Sequence, residues 1–327
     1  MNLCTMFILN NFIWKDKDIL KRFCNDYSLP INVYDPELIE YYINLYDYIL
    51  QTKSKYELLK TTLAEFDNDK DAFLSYSHQL SEKIIKSVEQ TEGYNKFITC
   101  NMDEYMPIHN EIEGIKYVKS VNLYNPDNSG KYFVSIDMRK ANFQALWYFD
   151  SSIVLGTNSY DEFISLFTDK TYFKESKEIR QTVFGKLTNG RLQRQERSMM
   201  EMVLTFILHY GYPVNIPVSA VKVFTTDEII LEGRIEELTP LDLAFEIFVN
   251  TGIRTKVEPF KLEYLGNNTY VKVHNTAPPT FKGCSSVYFP QMYKTYMGLP
   301  IQEEDLYFMY EKKLAKFMEP LKWEINE

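Results

Sequence analysis

The chain has 327 residues, of which 45% are hydrophobic and 25% charged, with 25 Tyr and 22 Phe. This length allows a large core with two or three subdomains and excludes a small disulfide-stapled scaffold. The formal net charge of -9 argues against nucleic-acid binding through overall charge, although a local basic groove can exist on an acidic body.

The cysteines and the N-terminal residues indicate the cellular compartment of the chain. Cys4, Cys24, Cys100 and Cys284 form no CxxC pair and have no histidine at ligand spacing, so neither a zinc site nor a disulfide framework is predicted. The apolar stretch 3–13 is too short to span a bilayer and is interpreted as a buried strand. We therefore expect a reducing, cytoplasmic compartment and no membrane. The Lys-, Asn-, Ile- and Tyr-rich composition suits an AT-rich genome, such as that of a phage, another virus or a low-GC bacterium.

Residues 15–93 have the periodicity of helices. Apolar residues recur at spacings of three and four, as in Ile19, Leu20 and Phe23. Asp35 followed by Pro36 is a typical helix start, and further helices are predicted at 55–66 and 69–91. This part of the chain, about 1–113, is expected to be mostly helical.

After residue 93 the pattern changes to short strands. Strands are predicted at 94–100 and 114–123, followed by a turn at 125–130 and a strand over 131–137 that ends in Asp137. Helical spacing resumes over 138–149. Asp137 is therefore either the N-cap of that helix or a site residue at the end of a strand, and both interpretations stay open.

A basic run follows a helix predicted at 159–167. Gly185 and the pair Asn189-Gly190 are expected to break this segment, which suits phosphate contacts or, alternatively, a solvated basic helix. Its cations are Lys170, Lys174, Lys177, Arg180, Lys186, Arg191, Arg194 and Arg197.

The remaining elements alternate between helices and strands. A long helix is predicted at 195–210, then a hairpin with Asp227 and Glu228 at its corner, then a helix from 239 or 240 to 250. Two strands at 256–264 and 270–274 and a C-terminal helix at 303–317 complete the chain. The predicted class is α+β, an antiparallel sheet with helices on one face.

Two acidic positions could face each other in this sheet. If Asp137 and Asp227 lie on neighbouring strands, their carboxylates repel and need a cation, and oxygen ligands suit Mg²⁺ or Mn²⁺. Such a site serves nucleotidyl transfer by a two-metal mechanism. The alternative is a solvated hairpin tip, since Asp is common in turns.

Three segments resemble the motifs of family A (polymerase I type) DNA polymerases. Ser135-Ile136-Asp137 with the helix 142–146 looks like motif A. Residues 177–190, in which Arg180 takes the place of the motif lysine and Asn189 that of the tyrosine, are similar to motif B. Motif C is the best match, with Thr226 in place of the family's histidine, in Phe224-Thr225-Thr226-Asp227-Glu228-Ile229-Ile230-Leu231-Glu232.

The resemblance implies a palm at 114–275, with abbreviated fingers inserted at about 150–200. Residues 1–113 would be a thumb-like region and 276–327 a C-terminal extension ending in a helix, with no room for a nuclease domain. Asn142 stands where DNA-making relatives hold a Glu against the ribose 2′-OH. The implied roles are catalysis by Asp137, Asp227 and Glu228, metal binding by Asp137 and Asp227, nucleotide binding by Arg180, Lys177, Lys186 and Asn142, and nucleic-acid binding by Arg191, Arg194 and Arg197.

Two functions of different classes follow. The first is a compact template-dependent nucleotidyltransferase that takes a nucleic-acid template and primer, nucleoside triphosphates and Mg²⁺ or Mn²⁺, with an RNA-synthesising enzyme as a variant. The second is a catalytically degenerate palm-like protein that binds nucleic acid or a replication partner. The acidic composition and the altered motif B favour the second, and the three retained acids favour the first.

Overall fold

A computed structural model describes residues 16–109, 111–112, 114–116, 123–187, 189–210, 217–234 and 239–323. The strand expected at 3–13 lies outside these ranges. Helices predominate in the first part of the chain, and a six-stranded antiparallel sheet forms from the later part. The predicted α+β class is confirmed.

The N-terminal part is helical, as the periodicity predicts. Asp16, Asp69 and Thr91 start three of its helices, because their side chains accept hydrogen bonds from backbone N–H groups of the first turn. Its helices are α1 (Lys17–Asp26), α2 (Ile39–Leu45), α3 (Asp47–Leu50), α4 (Thr52–Ala64), α5 (Lys70–Glu89), α6 (Glu92–Thr99) and α7 (Met102–Tyr105).

The strand expected at 94–100 is wrong, because this stretch belongs to α6. The hydroxyl of Thr91 accepts the N–H of Tyr94 and begins the helix. Tyr94 and Phe97, three residues apart, are then buried on one side. Of the strand expected at 114–123, only Ile115–Lys116 (β2) is found in the described residues; it pairs with Glu111–Ile112 (β1).

The strands of the main sheet are β3 (Tyr132–Met138), β4 (Val221–Phe224), β5 (Glu228–Glu232), β6 (Thr255–Tyr264), β7 (Tyr270–Val273) and β8 (Thr280–Lys282). Their spatial order is β4-β5-β3-β6-β7-β8, and every pair is antiparallel. The strands β3 to β6 and the intervening helices follow one another as β-α-β-β-α-β, the split βαβ arrangement, and β3 and β5 are the central two of these four strands.

The two faces of the sheet differ. Alternate residues of β3, namely Val134, Ile136 and Met138, belong to the main core shared with the helices. Phe133 on the other face belongs to a small separate cluster that includes Leu123 and Phe260. That cluster covers only part of its face of the sheet. The rest of this face carries the polar side chains of β3 that follow Phe133 at every second position.

In the described residues, α-helices connect β3 to β4 and β5 to β6. They are α8 (Ala141–Phe149), α9 (Tyr160–Ser165), α10 (Thr171–Glu175), α11 (Lys177–Lys186), α12 (Asn189–Tyr210) and α13 (Pro240–Thr251). The long helix α12 packs against α8, α13 and β5, whereas α11 packs against α1 and α5 of the N-terminal part.

The glycines do not interrupt this segment where the sequence predicts. Gly185 lies within α11, and Gly190 lies in the first turn of α12. A helical glycine costs only about 1 kcal/mol relative to alanine, so packing of the surrounding turns overrides it. The change of direction falls at Leu187, which is buried and has a non-helical backbone.

The C-terminal helix expected at 303–317 is wrong. A 3-10 turn (Glu303–Leu306) is followed by the hairpin of β9 (Tyr307–Tyr310) and β10 (Lys313–Lys316). Glu311 and Lys312 both have positive φ, 47° and 65°, as a two-residue type I′ hairpin turn requires. The preceding helix, α14 (Phe289–Tyr296), lies in the core. In the described part of the chain no helix is both long enough and apolar enough to cross a membrane.

Candidate functional site

Asp137 and the acidic turn meet at one end of the sheet. Asp137 is the last but one residue of β3, and its cross-strand partner in β5 is Glu228. The backbone N–H of Met138 donates to the carbonyl oxygen of Asp227 at 2.8 Å. Asp137 and Glu228 therefore lie in register on neighbouring strands, whereas Asp227, which was expected on a strand, lies in the turn before β5.

A four-residue turn holds Asp227. The N–H of Thr225 donates to the carbonyl of Glu228 at 2.9 Å, and the N–H of Glu228 donates to the Thr225 hydroxyl at 3.1 Å. The hydroxyls of Thr225 and Thr226 reach Asp227 Oδ1 at 3.3 and 3.5 Å. Local hydrogen bonds of this kind fix the corner, and the Asp227 side chain stays exposed.

Burial and neighbouring negative charges destabilise the charged form of the Asp137 carboxyl group. Burial raises its pKa to about 7, and the negative charges of Asp227, Glu228 and Glu258 act in the same direction. Lys256, the partner of Asp137 on β6, opposes the shift in pKa. A carboxyl surrounded by like charges in this way favours a bound proton or a cation.

Glu228 already has two partners. The hydroxyl of Ser135 donates to Glu228 Oε1 at 2.7 Å, and the ammonium of Lys272 lies 3.5 Å from the same oxygen. Lys272 is buried beneath the site, 4.5 Å from the centre of the Phe260 ring. Burial lowers the pKa of Lys272, and the charge of Glu228 opposes this. Glu228 is therefore held within the protein.

A fourth carboxyl group, Glu196 on α12, was missed by the sequence reasoning. Burial raises its pKa to about 8, and the charge of Asp227 adds to the effect. The signal was present in the sequence, since Glu196 continues the apolar stripe of Met199, Met200 and Val203 at helical spacing. A carboxylate on a buried stripe requires a partner.

The donor set suits a hard cation, but it does not form a closed cage. Carboxylate oxygens are the ligands that Mg²⁺ prefers. Within the described ranges, no three His, Cys, Asp or Glu side chains are close enough together to hold a metal ion. Mg²⁺ is often bound by one or two carboxylates completed by water and substrate phosphates, and Asp137 with Asp227 fits that pattern.

The three arginines predicted to bind nucleic acid hold α12 to the chain before it. Arg191 donates to the carbonyls of Phe97 and Cys100 at 3.0 and 3.2 Å. Arg194 donates to the carbonyl of Met106 at 2.8 Å and pairs with Asp103. Arg197 donates to the carbonyl of His109 at 2.5 Å and pairs within α12 with Glu201 at 3.2 Å. Their donors are largely used inside the protein.

Two of the predicted nucleotide ligands are also used internally. Lys177 donates to the Ser28 hydroxyl at 2.9 Å, and Lys186 pairs with Glu82 at 3.1 Å. Asn142 lies in the first turn of α8, partly exposed and five residues beyond Asp137.

Arg180 is placed differently, beside a residue that the sequence reasoning did not single out. Arg180 and Lys140 both lie against the ring of Tyr160, at 5.8 and 5.2 Å from its centre. Neither cation forms an ion pair with any residue in the described ranges, and the pKa of Lys140 is lowered by burial and by Arg180. Two adjacent cations near the end of β3 suit an anionic ligand.

We compared the chain with protein-family models, curated proteins and solved structures. None of them matches this chain. The class defined here therefore rests on the α+β fold and on the acidic end of its sheet.

Proposed function

We propose that the chain is a compact template-dependent nucleotidyltransferase of the palm type. The observation that carries this proposal is the meeting of Asp137 with the turn of Asp227 and Glu228, on the two central strands of a β-α-β-β-α-β sheet. The acidic groups follow the uncovered part of one face, while helices cover the other face. This arrangement leaves room for an extended polyanion beside the carboxylates.

The residues of the proposed site would have different roles. Asp137 and Asp227 would hold Mg²⁺ or Mn²⁺, which when bound activates an attacking oxygen and neutralises a leaving pyrophosphate. Arg180 and Lys140, which both lie against the ring of Tyr160, are the cations that we assign to a triphosphate. Ser135 and Lys272 keep Glu228 oriented behind the site.

A second candidate function is a palm-like protein that binds nucleic acid or a replication partner without catalysis. The observation that favours it is the internal use of Lys186, Arg191 and Arg194, which leaves a smaller basic surface than the sequence suggests. Both candidates share the acidic site, so activity distinguishes them.

Primer extension tests the first candidate. Purified protein is supplied with DNA or RNA templates, a primer, each nucleotide set and Mg²⁺ or Mn²⁺. We expect extension by the wild type and a loss of ~100-fold or more in Asp137→Asn and Asp227→Asn, the scale on which removing one group that stabilises transition-state charge acts.

Glu232→Gln is the matched control. Glu232 is a carboxylate on the same strand, β5, but at its opposite end, where it pairs with Lys222 at 2.8 Å. The extension rate of the Glu232→Gln variant should stay within about twofold of the wild-type rate, because the loss of a surface ion pair has little effect. A wild type that binds template and primer but extends none of them would support the second candidate and exclude the first.

A further inference from the structure

A cavity of about 400 Å³ lies beside α12, and the residues that line it differ from those of the acidic site. One wall is a single face of α12, which carries Gln195, Met199, Met202 and Phe206 at helical spacing. Other walls come from Tyr148 of α8, from the C-terminal end of α13 and from the end of α7 with the segment that follows it. Its volume is that of a small-ligand site.

Internal contacts hold this cavity in shape. Arg194 of α12 donates to the carbonyl of Met106 at 2.8 Å. The backbone N–H of His109 donates to the buried carboxylate of Glu201 at 3.0 Å, and His109 Nδ1 lies 2.8 Å from Glu201 Oε2. These contacts fix the segment 105–109 on α12, so a ligand meets a wall that is already in place and binding requires little reordering of the protein.

Gln195 is the polar group of the cavity that the protein leaves unsatisfied. Its residue is only 4% exposed, and its Oε1 has no hydrogen-bond partner in the part of the chain that the structure describes. A buried amide oxygen without a partner destabilises the folded state, and an apolar residue would fill the same place without this cost. Packing alone therefore does not account for Gln195, whereas a ligand with a hydrogen-bond donor does.

The lining indicates the chemistry of that ligand. An amide side chain presents an acceptor and a donor side by side, and every nucleobase has a donor next to an acceptor on its Watson–Crick edge. The rings of Tyr105 and Tyr148 line the same cavity, and bases stack on aromatic side chains. A lipid chain would leave the amide of Gln195 unpaired, and a phosphate would be repelled by the carboxylate of Glu201.

We propose that this cavity binds an unpaired nucleobase, with the amide of Gln195 on its Watson–Crick edge and a tyrosine ring against its face. A base in a duplex has that edge occupied, so the ligand is a base of a single strand or a free nucleoside. The inference goes beyond nucleotidyl transfer and does not depend on it, because binding requires neither a metal ion nor a primer.

Binding of bases to the full-length protein without divalent metal is the test. The affinities of a labelled eight-nucleotide single-stranded DNA and of an abasic strand of the same length are measured by fluorescence anisotropy. We expect the strand with bases to bind ~5-fold or more tightly, because each stacked base adds affinity. Adenosine, titrated by calorimetry, distinguishes the two sources: its binding indicates a free nucleoside, and binding of the strand alone indicates a polynucleotide.

Two variants assign the binding to the cavity. Gln195→Leu and Tyr105→Ala should each weaken binding of the base-containing ligand by ~5-fold or more, and leave that of the abasic strand unchanged. The matched controls are Gln90→Leu and Tyr48→Ala, which replace exposed residues outside the cavity and should change neither affinity. Gln195→Leu should melt at or above the wild-type temperature, because an unpaired buried amide is gone.

Three results would overturn the proposal. One is a folded Gln195→Leu protein that binds adenosine and the strand with bases as the wild type does. Another is a Gln195→Leu protein that loses affinity for the abasic strand to the same extent, since the contact would then be to the backbone. The third is a wild type that does not bind adenosine and binds both strands equally.

The proposed function can fail separately. If base binding depends on Gln195 but the wild type extends no primer, the base pocket stands and the polymerase proposal falls. If the wild type extends primers and Gln195→Leu alters no affinity, the polymerase proposal stands and the cavity is no base pocket.

Discussion

Replacing Asp137 by asparagine should stabilise the protein at neutral and alkaline pH. The substitution keeps the shape of the side chain and removes a charge that is partly buried and lies beside Asp227, Glu228 and Glu258. A neutral amide has no such repulsion to overcome. The expected gain follows from the displaced pKa of the carboxyl group.

The magnitude and its sign follow from linkage. A pKa displaced from 3.8 to about 7 corresponds to about 4 kcal/mol, at about 1.4 kcal/mol per pH unit. Asp137 is partly exposed, and solvent screening reduces this to ~2 kcal/mol. Because the folded state holds the proton more tightly, the penalty is absent below about pH 4, grows up to about pH 7, and is complete above it.

Urea unfolding without metal, from about pH 4 to pH 8, measures the effect as the difference between Asp137→Asn and wild type. That difference should rise from near zero to ~2 kcal/mol across this range. Glu232→Gln is the control with the opposite sign: the hydrogen bond from Lys222 lowers the pKa of Glu232. It should cost ~0.5 kcal/mol at high pH and nothing at low pH. A gain for Asp137→Asn that is independent of pH, or a loss at pH 8, would refute the reasoning.

Three other predictions concern the basic and polar residues. Arg180→Ala and Lys140→Asn should each raise the nucleotide KM by ~10-fold or more in the extension assay, because a charge-assisted contact is worth ~1.5–3 kcal/mol. The control Lys186→Ala should leave the nucleotide KM unchanged. Lys140 is replaced by asparagine because its backbone has a φ of 50°, which asparagine tolerates. The wild type should discriminate weakly between ribo- and deoxyribonucleotides, since Asn142 is shorter than glutamate and uncharged; strong rejection of ribonucleotides that persists in Asn142→Ala would contradict this. Arg194→Ala should lower the free energy of unfolding by ~1–3 kcal/mol, because a buried carbonyl loses its donor, without altering the salt dependence of nucleic-acid binding.

Short-range patterns in the sequence predicted much of the sheet and its helices. The strand that carries Asp137, the hairpin at Asp227, the helix that is capped by Thr239 and the turn before Tyr270 all lie within a residue or two of where they were expected. Thr239 and Asp242 form a reciprocal capping box, which is entirely local. Interactions within a few residues decide such features, so the sequence reveals them directly.

Two elements were predicted wrongly because local signals were ambiguous. Residues 94–100 have the composition of a strand, but Tyr94 and Phe97 bury the same face of a helix against the core. At 303–317 the helical periodicity is overridden by a turn with two residues at positive φ and by the packing of Phe308 on Phe317, whose ring centres are 4.4 Å apart. Burial against the core decided the first case, and the geometry of the short hairpin decided the second.

The sequence by itself determined that acidic residues would end two strands and that basic residues would cluster between them. Tertiary structure alone decided which charges are free. Arg191, Arg194 and Lys186 are drawn to carbonyls and acids at least 88 residues away, whereas Arg180 and Lys140 are brought together on Tyr160. The packing of α12 likewise buries the carboxyl group of Glu196, which raises its pKa. A charge interacts with whatever folding places within a few ångströms of it, and the spacing of residues along the chain does not contain that information.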